Sequence, residues 1–197
     1  MEAPKVKVAL TARQVKVMQA QYKAAIKTPT EYISYIMSED DPSTWYLLIR
    51  GISGHDDAFM GGEYLVRMVA PADFPGSPPQ FYFMTENGLY DIECKICISI
   101  GEYHKDQYRA VLGMSGFADN LVSGMVGWNE MGSGINILKT TADKKKQLAL
   151  KSVTSNIEKH ASLVKKIKDA YAEYSKTWPR TDENVAMLRR LGYEATP

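Results

Sequence analysis

Four short runs rich in β-branched and aromatic residues, each closed by a cluster of turn residues, constrain this chain more than any other feature. They fall at 32–37, 44–50, 63–69 and 80–84, separated by Glu39-Asp40-Asp41-Pro42, by a glycine-bearing stretch over 51–62 and by a proline-rich stretch over 71–79. Runs that follow one another with short, turn-forming connections predict an antiparallel meander, in which each strand pairs with its sequence neighbours.

Helical periodicity flanks that sheet. Val8, Thr11, Val15, Met18, Tyr22 and Ala25 recur at steps of three and four, which lays one mostly apolar stripe along a helix over about 10–27. Thr28-Pro29 stops it, because a residue before proline is driven out of the α region. After the sheet, 85–115 shows no sustained period and holds both cysteines, Cys94 and Cys97, together with His104. A loop-rich stretch that follows a rigid sheet is where a site is usually built. Helical pattern then returns over 117–126 and over 143–174, where Leu150, Val153, Ile157, Ala161, Val164, Ile167, Tyr171 and Tyr174 fall at heptad-like spacing. A last amphipathic stretch covers 182–191, with Thr181 placed as its N-cap and Gly192 as its stop. The order of elements predicts an α+β fold.

With 45% hydrophobic residues in 197, the chain has enough apolar material for one sizeable core. Its formal net charge of +1 gives no global field toward nucleic acid. The balance is uneven: 139–180 holds ten Lys and one Arg against two Asp and two Glu, a local +7 that leaves the rest at −6. No secretory apolar region opens the chain and no run approaches 18 apolar residues, so the expectation is a soluble, intracellular protein with no membrane span and with reduced thiols.

A thiol is a few per cent thiolate at neutral pH and sulfur is a good leaving group, so a cysteine suits an acyl carrier. Cys97 has that chemistry; flanked by Ile96 and Ile98, it also reads as a small core residue. Cys94 and Cys97 together form a C-x-x-C spacing, which elsewhere means redox exchange or half a zinc site. The only histidines available to complete a metal site, His55, His104 and His160, are scattered along the chain.

Four motifs in order carry a family resemblance: Trp45-Tyr46-Leu47-Leu48-Ile49-Arg50-Gly51, Gly61-Gly62-Glu63-Tyr64, Asp73-Phe74-Pro75-Gly76-Ser77-Pro78-Pro79 and Lys95-Ile96-Cys97-Ile98-Ser99-Ile100. The chain resembles the ubiquitin-conjugating (E2) enzymes over about 10–170. Thr85-Glu86-Asn87-Gly88-Leu89-Tyr90 stands where most E2s have His-Pro-Asn and looks like the Thr-Pro-Asn-Gly-Arg-Phe of the J-type, Ubc6-like subgroup. Tyr103-His104-Lys105-Asp106, Gly132-Ser133-Gly134-Ile135 and Lys145-Lys146-Gln147-Leu148-Ala149 echo three further stretches of that subgroup.

The resemblance implies a catalytic core over 1–138 and a basic helical extension over 139–197, packed on the core or projecting from it. It implies that Cys97 accepts ubiquitin as a thioester from an activating enzyme (E1) and passes it to a substrate Lys, or to Ser/Thr as in the subgroup, with no cofactor and no metal. Asn87 would donate to the oxyanion of the tetrahedral intermediate, or else simply hold its turn. His104 is a candidate base for an incoming hydroxyl, or a surface histidine bonded to backbone; Ser99 is a gate residue or a loop-stabilising hydroxyl. Ala70, Pro71, Pro75, Arg109, Ala110 and Val111 match positions that meet RING-type E3 ligases. Lys5, Lys7 and Arg13 match the basic end that meets the activating enzyme, with a solvated helix face as the ordinary alternative. Subgroup members usually end in a membrane anchor, whereas this sequence closes on a short polar end, so the expected location is the cytoplasm or the endoplasmic-reticulum surface. A catalytically inactive E2-like module that scaffolds ubiquitin or a ligase is the competing function. The tail departs from the subgroup, and its basic helix has four uses open: folding on the core, binding an acidic partner, receiving ubiquitin on its own lysines, or, as the ordinary case, serving as a solvated face.

Overall fold

The computed structural model describes residues 10–96, 112–130 and 134–193. Helix α1 (Ala12–Ala25) leads into strands β1 (Ile33–Met37), β2 (Thr44–Arg50), β3 (Glu63–Val69) and β4 (Gln80–Phe83), and helices α2 (Gly113–Val126), α3 (Ala142–Ser175) and α4 (Asp182–Arg190) follow. The sheet is the expected meander, in order β1-β2-β3-β4 with every pair antiparallel. Its strand limits match the sequence runs to within one residue.

The pleat sorts the sheet into two buried faces. Trp45, Leu47 and Ile49 of β2 point one way, with Tyr64, Val66 and Met68 of β3, and join Met18 of α1 and Met114, Phe117, Leu121 and Met125 of α2 in the main core. Leu48 and Leu65 point the other way and pack against Val164 and Ile167 of α3. Successive strand residues face opposite sides, so covering both faces makes β2 read as a nearly continuous apolar run. A third cluster, Tyr171, Tyr174, Trp178, Met187 and Leu188, lies under the α3–α4 corner. It is fastened to the chain around β1: Tyr174 Oη accepts from Tyr35 N at 3.1 Å, Tyr171 Oη donates to Thr30 O at 2.7 Å and Trp178 Nε1 donates to Ile26 O at 2.8 Å. At the edge of this cluster the buried Arg50 guanidinium donates to Ser34 Oγ and Tyr193 Oη and lies 4.9 Å from the Tyr171 ring centroid.

The helix starts differ from the sequence reading in instructive ways. Thr11 belongs outside the α1 stripe: it is the N-cap, sharing a capping box with Gln14, so the helix begins at Ala12. Helix α2 begins at Gly113, four residues earlier than its apolar pattern shows. Its first turn borrows an acceptor from α1, with Met114 N donating to Gln21 Oε1 at 2.8 Å, a tertiary cap that leaves no local signal. Thr181 caps α4 as expected, accepting from Asn184 N, and Gly192 follows its end at φ +78°.

The turn into β3 explains the Gly-Gly pair. Gly61 lies at φ +76°, and a Cβ on Gly62 would sit 2.1 Å from Tyr64 Oη. Tyr64 has no room to yield: it is fully buried, its hydroxyl donates to Phe59 O at 3.3 Å and its ring packs edge-on to Phe59. Gly62→Ala is therefore expected to destabilise the protein by about 1–3 kcal/mol through overpacking, read as a lower urea midpoint, with Gly51→Ala as the comparison because strain at φ +69° acts there without any contact.

Candidate active site

Everything described around the candidate site converges on the chain that runs from β4 toward Cys97. Thr85, just past β4, is 2% exposed; its Oγ1 accepts from Leu65 N at 2.9 Å and donates to Asn156 Oδ1 of α3 at 2.6 Å. Two residues on, Asn87 is 1% exposed and its amide is fully engaged. Oδ1 accepts from Leu89 N at 2.9 Å and Tyr90 N at 2.8 Å, while Nδ2 donates to Thr85 O at 3.1 Å and Tyr90 O at 3.3 Å. Those four bonds are a turn folded around one side chain, which is the loop-holding reading of Asn87. Gly88 sits at φ +75°, where a Cβ would press on Thr140, Leu148 and Lys145 within 3.2 Å, so glycine is required by both conformation and space.

The chain then returns beside β4. Tyr90 stacks on Phe83 with centroids 5.0 Å apart, Glu93 N donates to Phe83 O at 2.8 Å, and Ile96 N donates to Phe81 O at 3.1 Å. Ile96 itself is 4% exposed and part of the main core. Cys97 is the next residue in sequence, so the described chain reaches it from a side chain locked in the core.

A second segment, 134–140, straps the first. Leu138 N donates to Leu89 O at 2.7 Å, Asp91 N donates to Asn136 O at 3.0 Å, and Asn136 Nδ2 reaches Lys95 O at 2.7 Å. Asn136 adopts φ +59° to do this. Thr140 Oγ1 donates to Gly88 O. Behind it Lys145, 1% exposed, donates from Nζ to Thr140 O at 2.8 Å and Thr140 Oγ1 at 3.0 Å and lies 3.9 Å from the Trp128 ring centroid. Burial lowers the Lys145 pKa from the ordinary lysine value. Asn136, Thr140 and Lys145 were not singled out from the sequence for this role. The one available signal was an Asn in a glycine-rich stretch, a residue type that tolerates positive φ.

Cys94 is half-buried, and its thiol is pushed up by burial and then by the carboxylates of Asp91 and Glu93. A redox C-x-x-C needs the opposite, a depressed thiol that supplies thiolate. The raised thiol of Cys94 therefore speaks against the redox reading of the C-x-x-C pair.

The expected site residues divide as follows. Cys97, Ser99, His104, Arg109, Ala110 and Val111, with Lys5 and Lys7, lie outside the described residues. Arg13 is exposed on the first turn of α1 and Pro75 is exposed beyond β3, with Pro71 partly so. Ala70 is a correction: it is fully buried in the main core and its N–H donates to Ser43 O at 2.8 Å, so its side chain offers nothing to a partner. The loop carrying Pro75 is joined to α1, where Gln14 Nε2 donates to Ala72 O. Phe74, 5% exposed, anchors it to the core.

Comparison with known proteins places this arrangement. No family model matches the chain. Ubiquitin-conjugating enzyme E2 J2 of Mus musculus is 31% identical over 129 residues, covering 64% of this chain and 48% of that protein. Ubiquitin-conjugating enzyme E2 34 of Arabidopsis thaliana is 28% identical over 142 residues, 72% of this chain and 58% of its own. Ubiquitin-conjugating enzyme E2 J1 of Homo sapiens is 27% identical over 179 residues, 87% of this chain and 53% of its own. The chain thus spans about half the length of the curated relatives it matches. Among solved structures, human ubiquitin-conjugating enzyme E2 G1 aligns over 58% of this chain and 96% of its own with a TM-score of 0.50 and 24% identity, a likeness of fold.

Proposed function

We propose that this chain, which belongs to the ubiquitin-conjugating (E2) enzymes and stands with their J-type, Ubc6-like members, carries ubiquitin as a thioester on Cys97 and transfers it to another protein. The observation that supports it most is the anchored approach to Cys97: the Asn87 turn, the pairing along β4 and the 134–140 strap all fix the backbone that delivers this residue. In the first step the Cys97 thiolate attacks the carbonyl of the ubiquitin C-terminus held as a thioester on the activating enzyme. A new C–S bond forms and the enzyme's own sulfur leaves. In the second, a substrate amine attacks the same carbonyl, the C–S bond breaks, and the amine's proton passes to solvent or to the departing thiolate. ATP is consumed upstream, so the chain needs no cofactor for either step.

The finer assignments follow from the same reading. His104 takes the proton when the acceptor is a Ser or Thr hydroxyl, and Ser99 gates the groove. The partly exposed Pro71 and the exposed Pro75, with Arg109–Val111, form the ligase-facing surface; Lys5, Lys7 and Arg13 face the activating enzyme. Residues 1–138 make the catalytic core, and the 139–197 extension braces it by covering the second face of the sheet. No helix among the described residues is long and apolar enough to cross a membrane; cytoplasmic action, or action at the endoplasmic-reticulum surface, is part of the proposal.

Incubation with activating enzyme, ATP and ubiquitin, followed by a non-reducing gel, tests it. The expected product is an adduct removed by reductant, which in Cys97→Ser is absent or replaced by a reductant-stable ester. A Cys97→Ser protein that still formed the reductant-sensitive adduct would exclude Cys97 as the carrier, and a wild type that formed none would leave a binding module.

A further inference from the structure

The stretch 91–95 turns the chain back beside β4 and ends two residues short of Cys97, and one residue of the strap closes it at both ends. Asn136 O accepts from Asp91 N at 3.0 Å, and Asn136 Nδ2 donates to Lys95 O at 2.7 Å. Asn136 makes both bonds from a left-handed φ of +59°, a region that asparagine enters more easily than most residues. Inside the turn Glu93 is left-handed too, at φ +55°, and a non-glycine residue stays there only where its surroundings hold it.

The bond to Lys95 O bears on what comes next in the chain. Lys95 C=O and Ile96 N–H belong to one peptide unit, which is planar and moves as a body. Its N–H donates to Phe81 O of β4 at 3.1 Å, and its C=O is held from the strap by Asn136. With both ends bonded the plane cannot rock, and the Ile96 side chain beyond it is buried in the main core. Only the φ and ψ of Ile96 then separate a fixed plane from Cys97. On the reading of Cys97 as the acyl carrier, we propose that Asn136 is a positioning residue for transfer: its amide fixes the Lys95-Ile96 peptide plane and thereby the placement of Cys97. The strap does not depend on this amide, since Leu138 N donates to Leu89 O, Thr140 Oγ1 donates to Gly88 O and Ile137 packs against the main core. Asn136 is itself partly exposed, unlike the buried Asn87, so its loss is expected to disturb placement more than stability.

Asn136→Gly tests this, because glycine keeps the left-handed φ and the bond from Asp91 N and removes the amide alone. In amide hydrogen exchange followed by NMR, the Ile96 N–H is expected to exchange at least about tenfold faster than in wild type, with the Tyr90 and Leu138 amides unchanged. In single-turnover transfer from ubiquitin-loaded activating enzyme, the maximal rate should fall at least about tenfold. The concentration of loaded activating enzyme at half-maximal rate and the urea midpoint should both stay close to wild type. A clip with a structural role only would lower the urea midpoint and leave the maximal rate of the folded protein untouched. Where glycine lowers the midpoint, Asn136→Asp, which keeps the shape and lacks the donor, is read in its place below its melting range. A maximal rate equal to wild type, a loss carried by the half-saturating concentration, or Ile96 exchange at the wild-type rate overturns the proposal. A wild type that forms no thioester sinks the transferase reading and the role of Asn136 together; a wild type that forms it beside an equally fast Asn136→Gly sinks the role of Asn136 alone.

Discussion

Raised above pH 10, the protein should lose stability at about 5 kcal/mol per pH unit and unfold in one step with its tyrosines ionising together. Tyr35, Tyr64, Tyr171 and Tyr174 are between 0% and 8% exposed, and burial raises all four pKa values well above the ordinary tyrosine value of 10.0. The Arg50 guanidinium pulls Tyr171 down without cancelling that rise. The folded state therefore keeps four protons that the unfolded chain releases near pH 10, so their contribution is complete below pH 10 and is lost above it. Each such group contributes about 1.4 kcal/mol per pH unit of slope, and four sum to about 5. Lys145 works in the opposite sense: its lowered pKa means that the unfolded chain holds the extra proton as pH approaches 10.5, so raising the pH there favours the fold. One lysine against four tyrosines leaves the slope negative. Against a typical stability of about 5–15 kcal/mol, unfolding is expected within two or three units of pH 10. Phenolate absorbance at 295 nm and far-ultraviolet circular dichroism should change together, and Tyr174→Phe should flatten the slope by about a quarter. Tyrosines that ionised near pH 10 in a chain with native dichroism would defeat the argument.

Replacing Asn87 by Ala should have the second large effect, on stability and transfer at once. The amide is buried and makes four hydrogen bonds. Its removal strands two N–H groups and two carbonyls, at about 1–3 kcal/mol for a group left unsatisfied and more where several are lost together; about 3 kcal/mol in total is a reasonable expectation. Asn87→Asp should do no better, since a carboxylate keeps the bonds from Leu89 N and Tyr90 N but sets its other oxygen against Thr85 O and Tyr90 O. Measured at a temperature where the variant remains folded, thioester formation is expected to fall at least tenfold, because misplacing a reacting group by about 1 Å can cost about a hundredfold. An oxyanion donor predicts a different pattern: transfer lost with the urea midpoint unchanged. Paired stability and single-turnover measurements separate the two roles of this side chain.

The sheet was legible because its signals are local. Alternation and turn residues act over four to eight positions, so β1 to β4 and their antiparallel order could be read directly. The N-cap of α4 was legible for the same reason, Thr181 being three residues from the N–H it accepts. The candidate site was legible only as motif: Thr85, Asn87 and Gly88 stood out as a pattern, without the reason for it. That reason lies in partners far along the chain, Asn156 on Thr85 and Thr140 on Gly88.

What sequence alone determined is thus each element whose stabilising partner lies within a turn or a strand of itself, together with the identity of Cys97 as the candidate nucleophile. Tertiary structure alone decided which face of α3 goes inward. Periodicity counts apolar residues and would have buried Leu150 and Ile157. The backbone at the start of β3 and the Thr85 hydroxyl after β4 instead needed hydrogen-bond partners, and Ser152 and Asn156 supply them. A buried backbone group left unpaired costs as much as a buried aliphatic side chain gains, so the polar face turned inward wherever it had unpaired backbone to satisfy.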